Sequence, residues 1–172
     1  MIVLALDLST KSSGWAIYEN NELKDYGCIT ASSTNLFNRI DKMTKEISAL
    51  FSQYDITKVA IEDVIPDDVH NNQKIFKALT YLQGFILREL DRLNISEIEF
   101  YVSSEWRKKC GIRTGRGIHR ESLKPKDIAF VKNQFGISVN DDVADAICIG
   151  FAAIGGTIKE PQVIIEDGFE FG

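Results

Sequence analysis

Long apolar runs, paired cysteines and histidines are what this chain of 172 residues has least of. No run approaches the ~18 apolar residues of a membrane span, and the opening residues lack the basic-then-apolar pattern of a secretory leader. The expectation is a cytoplasmic protein with no membrane partner. The three cysteines, Cys28, Cys110 and Cys148, are odd in number, far apart and without a CxxC pair. That excludes a disulfide framework and a zinc site and suits reduced thiols. The two histidines, His70 and His119, fall in a turn and in a basic loop, and neither is expected to serve catalysis. Repeats and low-complexity stretches are absent. With 44% apolar and 26% charged residues, the chain is ordinary for a globular protein and long enough for one domain with a substantial core. That domain is expected over residues 1–157. The weakly patterned tail, 158–172, is expected to be partly ordered at best.

Charge is present but unevenly placed. The net charge of −5 argues against a general nucleic-acid binder, yet residues 105–126 carry Arg107, Lys108, Lys109, Arg113, Arg116, Arg120, Lys124 and Lys126 against only Glu105 and Glu121. That local balance of +6 leaves −11 on the remainder. A basic segment on an acidic body is the footprint of a polyanion partner, although a solvated loop has the same charge pattern. Gly111, Gly115 and Gly117 within it suggest a segment that is mobile until it meets that partner.

The order of elements is legible from periodicity. Residues 2–7 form a continuous apolar run expected of a central strand buried on both faces. Two further strands follow over 14–19 and 22–30, joined by a hairpin turn at Glu19-Asn20-Asn21. Leu36, Ile40, Met43, Ile47, Leu50 and Tyr54 recur at 4-3-4-3-4 spacing, an amphipathic helix. A fourth strand spans 57–62, ended by Pro66 with Asp67-Asp68. A second helix, over 71–93, places Ile75, Leu79, Leu82, Ile86, Leu90 and Leu93 on one stripe. A fifth strand covers 97–102. After the basic segment come a helix near 125–135 stopped by Gly136 and a last helix from about 141 to 154. The expected fold is α/β, a five-stranded mixed sheet flanked by helices.

Carboxylates at the ends of these elements carry the chemical signal. Asp142 and Asp145 open an otherwise apolar helix and lie on one face, one turn apart. Asp7 closes the first strand and Glu62 the fourth. A helical crossover can return the fourth strand beside the first, which would make Asp7 and Glu62 neighbours, with the last helix bringing Asp142 and Asp145 to them. Four acids so placed suggest a divalent-metal site. Each has a simpler alternative. Asp7 can cap a turn before Ser9-Thr10, Glu62 can be a solvated strand end, and Asp142 and Asp145 can complement the helix dipole. Asp141 is expected as the helix N-cap. Trp15 is expected in the core, and Trp106 as an anchor for the basic segment rather than a base-stacking residue.

Several motifs resemble a known family. Asp7-Leu8-Ser9-Thr10 with Ser13-Gly14-Trp15-Ala16-Ile17 is similar to the opening strand-turn-strand of the RuvC-like Holliday junction resolvases of the RNase H-like superfamily. Ile61-Glu62-Asp63-Val64 resembles their second acidic motif, residues 72–84 the helix after it, and Asp142-Val143-Ala144-Asp145-Ala146-Ile147 their D-x-x-D-A pattern. The resemblance runs in order from residue 2 to about 152. Its terse loops are most similar to phage-encoded members, for which the site of action is the bacterial host cytoplasm. It implies an RNase H-like nuclease that resolves four-way DNA junctions as a homodimer through helix 71–93, a substrate range that this chain's more cationic loop would widen to other branched DNA. It implies Asp7, Glu62, Asp142 and Asp145 as catalytic ligands of two Mg²⁺ ions, with Mn²⁺ as a substitute. It also implies DNA-backbone contacts from Lys108, Lys109, Lys124 and Lys126 within the cationic set Arg107 to Lys126. The family's aromatic residue three positions after the second acid is Ile65 here, and Thr114-Gly115-Arg116-Gly117 makes the loop more cationic. Two alternatives stand beside this reading: a non-catalytic branched-DNA binder with the same fold, and an actin or sugar-kinase type ATPase fragment. The second draws on Asp7 to Gly14, which is similar to a first phosphate loop, but no D-x-G-G hairpin follows it.

Overall fold

The fold is set by the alternation of side chains along its first strand. In the computed structural model, which describes residues 1–66 and 72–160, β1 (Ile2–Asp7) lies at the centre of a five-stranded sheet. It is flanked by β2 (Ser12–Glu19), β3 (Glu22–Thr30), β4 (Lys58–Glu62) and β5 (Glu97–Tyr101) in the order β3-β2-β1-β4-β5. β1, β2 and β3 pair antiparallel, whereas β1, β4 and β5 pair parallel. The β2–β3 turn falls at Asn20 and Asn21, both left-handed at φ 51° and 68°, as a tight hairpin demands.

Leu4 and Leu6 point to one face and Val3 and Ala5 to the other. The first face, with Ile17, Val59 and Ile61, is covered by α1 (Leu36–Leu50) and α2 (Gln73–Arg92) through Ile40, Met43, Ile47, Leu82, Ile86 and Leu90. The opposite face carries a row of small residues across its middle. Ala5 pairs with Ala16 on one side and with Ala60 on the other, making a flat row of alanines across three strands. On that floor lies α5 (Asp141–Ala153), whose residues Val143 to Ala152 are all buried. A Cβ on Gly150 would stand 2.3 Å from the Tyr18 ring and 3.1 Å from the Ala5 Cβ. The helix therefore sits closer to the sheet than larger residues would allow.

Two further helices complete this layer. α3 (Ser103–Lys109) follows β5 almost without a loop, and α4 (Arg120–Phe135) packs against α5. Both differ from the sequence expectation. The basic segment is not a continuous loop: its first part is helical, opened by Glu105, which accepts from the Val102 backbone N–H at 3.2 Å. α4 begins at Arg120 rather than near 125, so Pro125 lies inside it and forfeits one backbone hydrogen bond. It ends, as expected, at Gly136, with φ 73°. Asp141 is not the α5 cap; Asn140 is, its side chain accepting from the Val143 N–H at 2.9 Å.

The three cysteines are free thiols. Among the described residues no helix is long and apolar enough to cross a membrane. His70, the Asp67-Asp68 break and most of the C-terminal tail, residues 161–172, lie outside the described residues. The start of that tail is tied down by Gln134, which donates to the Thr157 carbonyl at 3.0 Å and accepts from the Lys159 N–H at 2.8 Å.

Candidate active site and nucleic-acid surface

Parallel pairing brings the first two acids together. Leu6 is in register with Ile61, so Asp7 and Glu62 end adjacent strands at the same edge of the sheet. Strand ends of this polarity are where α/β sheets collect their functional groups. Asp7 is also in register with Gly14, and a Cβ on Gly14 would lie 1.9 Å from the backbone carbonyl oxygen of Asp142. The missing side chain lets the first turn of α5 rest on the sheet directly beside Asp7. Asp142 and Asp145 then face the strand ends from one helical turn.

Three of the four carboxylates meet different neighbours. Glu62 accepts from the Trp106 indole N–H at 2.8 Å. Asp142 accepts from the Ser12 hydroxyl, which also lies 3.1 Å from the Cys28 sulfur. Asp145 stands 3.8 Å from the guanidinium of Arg107, while its Oδ1 is buried with no hydrogen-bond partner. The turn after Asp7 is closed by Ser13, whose hydroxyl accepts from the Ser9 N–H at 2.9 Å and donates to the Ser9 carbonyl at 2.6 Å.

Burial and mutual repulsion act on two of the acids. Burial holds the Asp7 carboxyl well above the usual carboxylate range, and Glu62 and Asp142 push it further up; Arg120 and Arg107 oppose them. Asp145 is raised as well, first by burial and then by Asp7, Asp127 and Glu62, with Arg107 again opposing. The acids sense one another strongly, yet they do not form a tight cluster. Among the described residues no three His, Cys, Asp or Glu side chains are grouped closely enough to hold one ion together. The four candidate residues are gathered by charge and position, with Glu62 and Asp142 each turned toward a protein donor.

The cations divide into two kinds. Lys108, Lys109, Arg113, Arg116, Arg120 and Lys126 are exposed. Lys124, half-buried, is ion-paired with Asp141, which raises the lysine pKa and lowers that of the acid. Lys109 lies 4.9 Å over the Tyr101 ring. Arg107 is different. It is only 4% exposed and clamps the fully buried Asp127 from Nε at 3.1 Å and Nη2 at 2.8 Å. Its charge serves the interior, so it does not join the exposed cations with which the sequence grouped it.

Three contributors at the site were not assigned from sequence. Ser12 was unassigned, although it lies two residues before Gly14 on the same strand and so on the same face. Trp106 was expected only as an anchor; it is fully buried, but it also holds Glu62. Arg120, counted among the surface cations, is close enough to influence Asp7.

No protein-family model and no curated protein matches the chain. Solved structures do. The chain is similar to Thermus thermophilus RuvC in complex with a Holliday junction substrate, with a TM-score of 0.72 and 12% identity over 90% of this chain and 93% of that one. The T. thermophilus RuvC structure gives 0.70 and 13% over 90% and 94%. This is the RuvC fold. The yeast mitochondrial Holliday junction resolvase Ydc2 is more distant, at 0.55 and 12% over 89% of this chain and 77% of that one. The RuvC-like resemblance in the sequence motifs and the RNase H-like mixed sheet thus meet in one architecture, at an identity that speaks for the fold alone.

Proposed function

We propose that the chain is a phage-type, Mg²⁺-dependent, structure-selective endonuclease that resolves Holliday junctions and other branched DNA. A single nuclease domain over residues 1–157 would act as a homodimer in the host cytoplasm. The observation that carries this reading is the gathering of Asp7, Glu62, Asp142 and Asp145 at one sheet edge, where burial and mutual repulsion raise the pKa values of Asp7 and Asp145. A protein that only bound DNA would gain nothing from acids gathered beside phosphate.

The donor set suits Mg²⁺. It consists of hard carboxylate oxygens, one of them, Asp145 Oδ1, buried without a protein donor. Asp7, Glu62, Asp142 and Asp145 would be the ligands of two ions. When bound, they would supply Lewis-acid stabilisation of charge at the scissile phosphate and favour deprotonation of the water that attacks it. The rest falls to the chain itself. Ser12 and Trp106 orient Asp142 and Glu62, and the Arg107–Asp127 pair fixes a positive charge behind Asp145. Lys108, Lys109, Arg113, Arg116, Arg120, Lys124 and Lys126 would hold the DNA backbone without reading sequence.

Homodimerisation is supported by the outer face of α2. Tyr81 and Phe85 are 47% and 48% exposed there, Ile75 is 49% exposed at the start of the helix, and Phe37 of α1 stacks on Tyr81 with ring centroids 6.3 Å apart. A two-fold pair would offer two sites to two symmetric strands. The deciding experiment is a labelled synthetic four-way junction incubated with Mg²⁺ and resolved on a denaturing gel. Symmetric nicks on opposing strands are expected; absence of cutting, or cutting of one strand only, rejects the resolvase reading.

A further inference from the structure

The geometry points to Trp106 as a positioning residue that fixes the Glu62 carboxylate for cation binding. The inference rests on the reading of Glu62 as an ion ligand given above. Trp106 is fully buried on α3, and its indole N–H donates to Glu62 Oε2 at 2.8 Å. An indole is a donor only and carries no charge. It can therefore hold one carboxylate oxygen in place without neutralising the negative charge that a cation would require. A lysine or arginine in that place would orient the same group and also compete with the ion for it.

The indole is itself held. The Arg107 guanidinium lies 4.1 Å from its ring centroid, and Arg107 is in turn locked by its hydrogen bonds to Asp127. From the other side Glu62 ends β4, where the next backbone N–H, that of Asp63, donates to the Tyr101 carbonyl at 2.9 Å. Tyr101 ends β5, and α3 starts two residues later. One short, stiff path thus connects the strand bearing the acid to the helix bearing the donor. Partners of this kind, which orient metal ligands from behind, typically alter metal affinity or activity by roughly 10–100-fold when lost.

The test compares the full-length parent with Trp106→Phe and with a variant carrying benzothienylalanine at 106, which keeps the ring shape and replaces the N–H by sulfur. The midpoint of junction cleavage against Mg²⁺ concentration should rise roughly 10–100-fold in both, with junction binding in metal-free buffer unchanged. A second readout does not involve activity. The chain has two tryptophans, Trp15 and Trp106, so the indole ¹⁵N–H resonance of Trp106 is the one missing from the Trp106→Phe spectrum. That resonance should shift on Mg²⁺ titration of the parent and stay fixed in Glu62→Gln. A shape-preserving variant with the parent's Mg²⁺ midpoint, or an indole signal indifferent to Mg²⁺, would reduce Trp106 to packing. Should the parent cut no branched DNA, the functional reading falls, but the titration still decides: a shift lost in Glu62→Gln upholds the indole's role, and no shift rejects it.

Discussion

The two faces of the sheet solve different problems. Beneath α1 and α2 lie Leu4, Leu6, Ile17, Val59 and Ile61, large side chains that interlock with Ile40, Met43, Ile47, Leu82, Ile86 and Leu90. Beneath α5 lie Ala5, Ala16 and Ala60, with Gly14 and Gly150 at the points of nearest approach. The first face buries much apolar area per residue, and that burial is what stabilises it. The second gives up that area so that a helix bearing two acids can rest against the strand bearing a third. Bulk stabilises the fold on one side, and the absence of bulk places the candidate site on the other.

The sharpest break should come from the acids themselves. Asp7→Asn or Glu62→Gln is expected to lower cleavage of a four-way junction on the order of 1,000-fold, because several kcal/mol of transition-state stabilisation would be lost. Binding, measured by gel shift in metal-free buffer, should persist or tighten as a negative charge near phosphate disappears. Parental cleavage rates in either variant would remove that residue from the ligand set. The next effect separates the two faces directly. Gly14→Ala would force the start of α5 away from β2, since the added carbon would overlap the Asp142 carbonyl. It should cost activity by roughly 10-fold or more along with about 1–3 kcal/mol of stability. Leu82→Ala on the opposite face should cost about 2–5 kcal/mol while the protein that remains folded cuts at the parental rate. Equal loss of activity per folded molecule in both variants would dissolve the distinction.

That contrast also explains what the sequence disclosed. All five strands and four of the five helices follow from hydrophobic period, and the acids were visible because carboxylates at the ends of apolar runs are out of place there. The first helix of the basic segment was hidden because its charges read as solvated loop, when Trp106 and Arg107 in its middle are buried. Arg107 counted as a surface cation because sequence gives no sign that Asp127, twenty residues away, waits for it in the core. α4 opens at Arg120, five residues before the expected start, with Pro125 inside it, where a proline forfeits one backbone hydrogen bond. Nor does linear spacing reveal that Ser12 would meet Asp142, 130 residues further on.

A smaller effect distinguishes the faces by pH. Asp145 has a folded pKa above its unfolded one, and so does Asp7. The folded metal-free protein therefore binds more protons than the unfolded chain. Stability from this face should fall as pH rises from the ordinary carboxylate range through the raised folded values. Asp145→Asn keeps the shape, removes the charge and leaves Arg107 its pair with Asp127. Thermal melts near neutral pH should show the variant more stable than the parent, with Tm about 2–4 °C higher for each kcal/mol recovered, and with a flatter pH dependence between acid and neutral. Saturating Mg²⁺ should raise the Tm of the parent and narrow the gap. A variant that melts at or below the parent would mean that the repulsion at this site is already relieved within the protein.

The mildest prediction concerns the rim of the α5 face. Lys108 and Lys109 are exposed at the end of α3, whereas Arg107, one residue before them, is locked inside. Neutralising both lysines to glutamine should weaken junction binding and reduce the slope of log affinity against log salt concentration by about 1 for each phosphate contact removed. Arg107→Gln should behave oppositely, leaving the slope unchanged while lowering Tm, because it strands Asp127 without its partner in the core. The pair of outcomes is diagnostic: three consecutive cations of identical sign would act on DNA or on stability according to which way each faces. A salt slope that responds to Arg107 and ignores Lys108 and Lys109 would place the nucleic acid on a different surface.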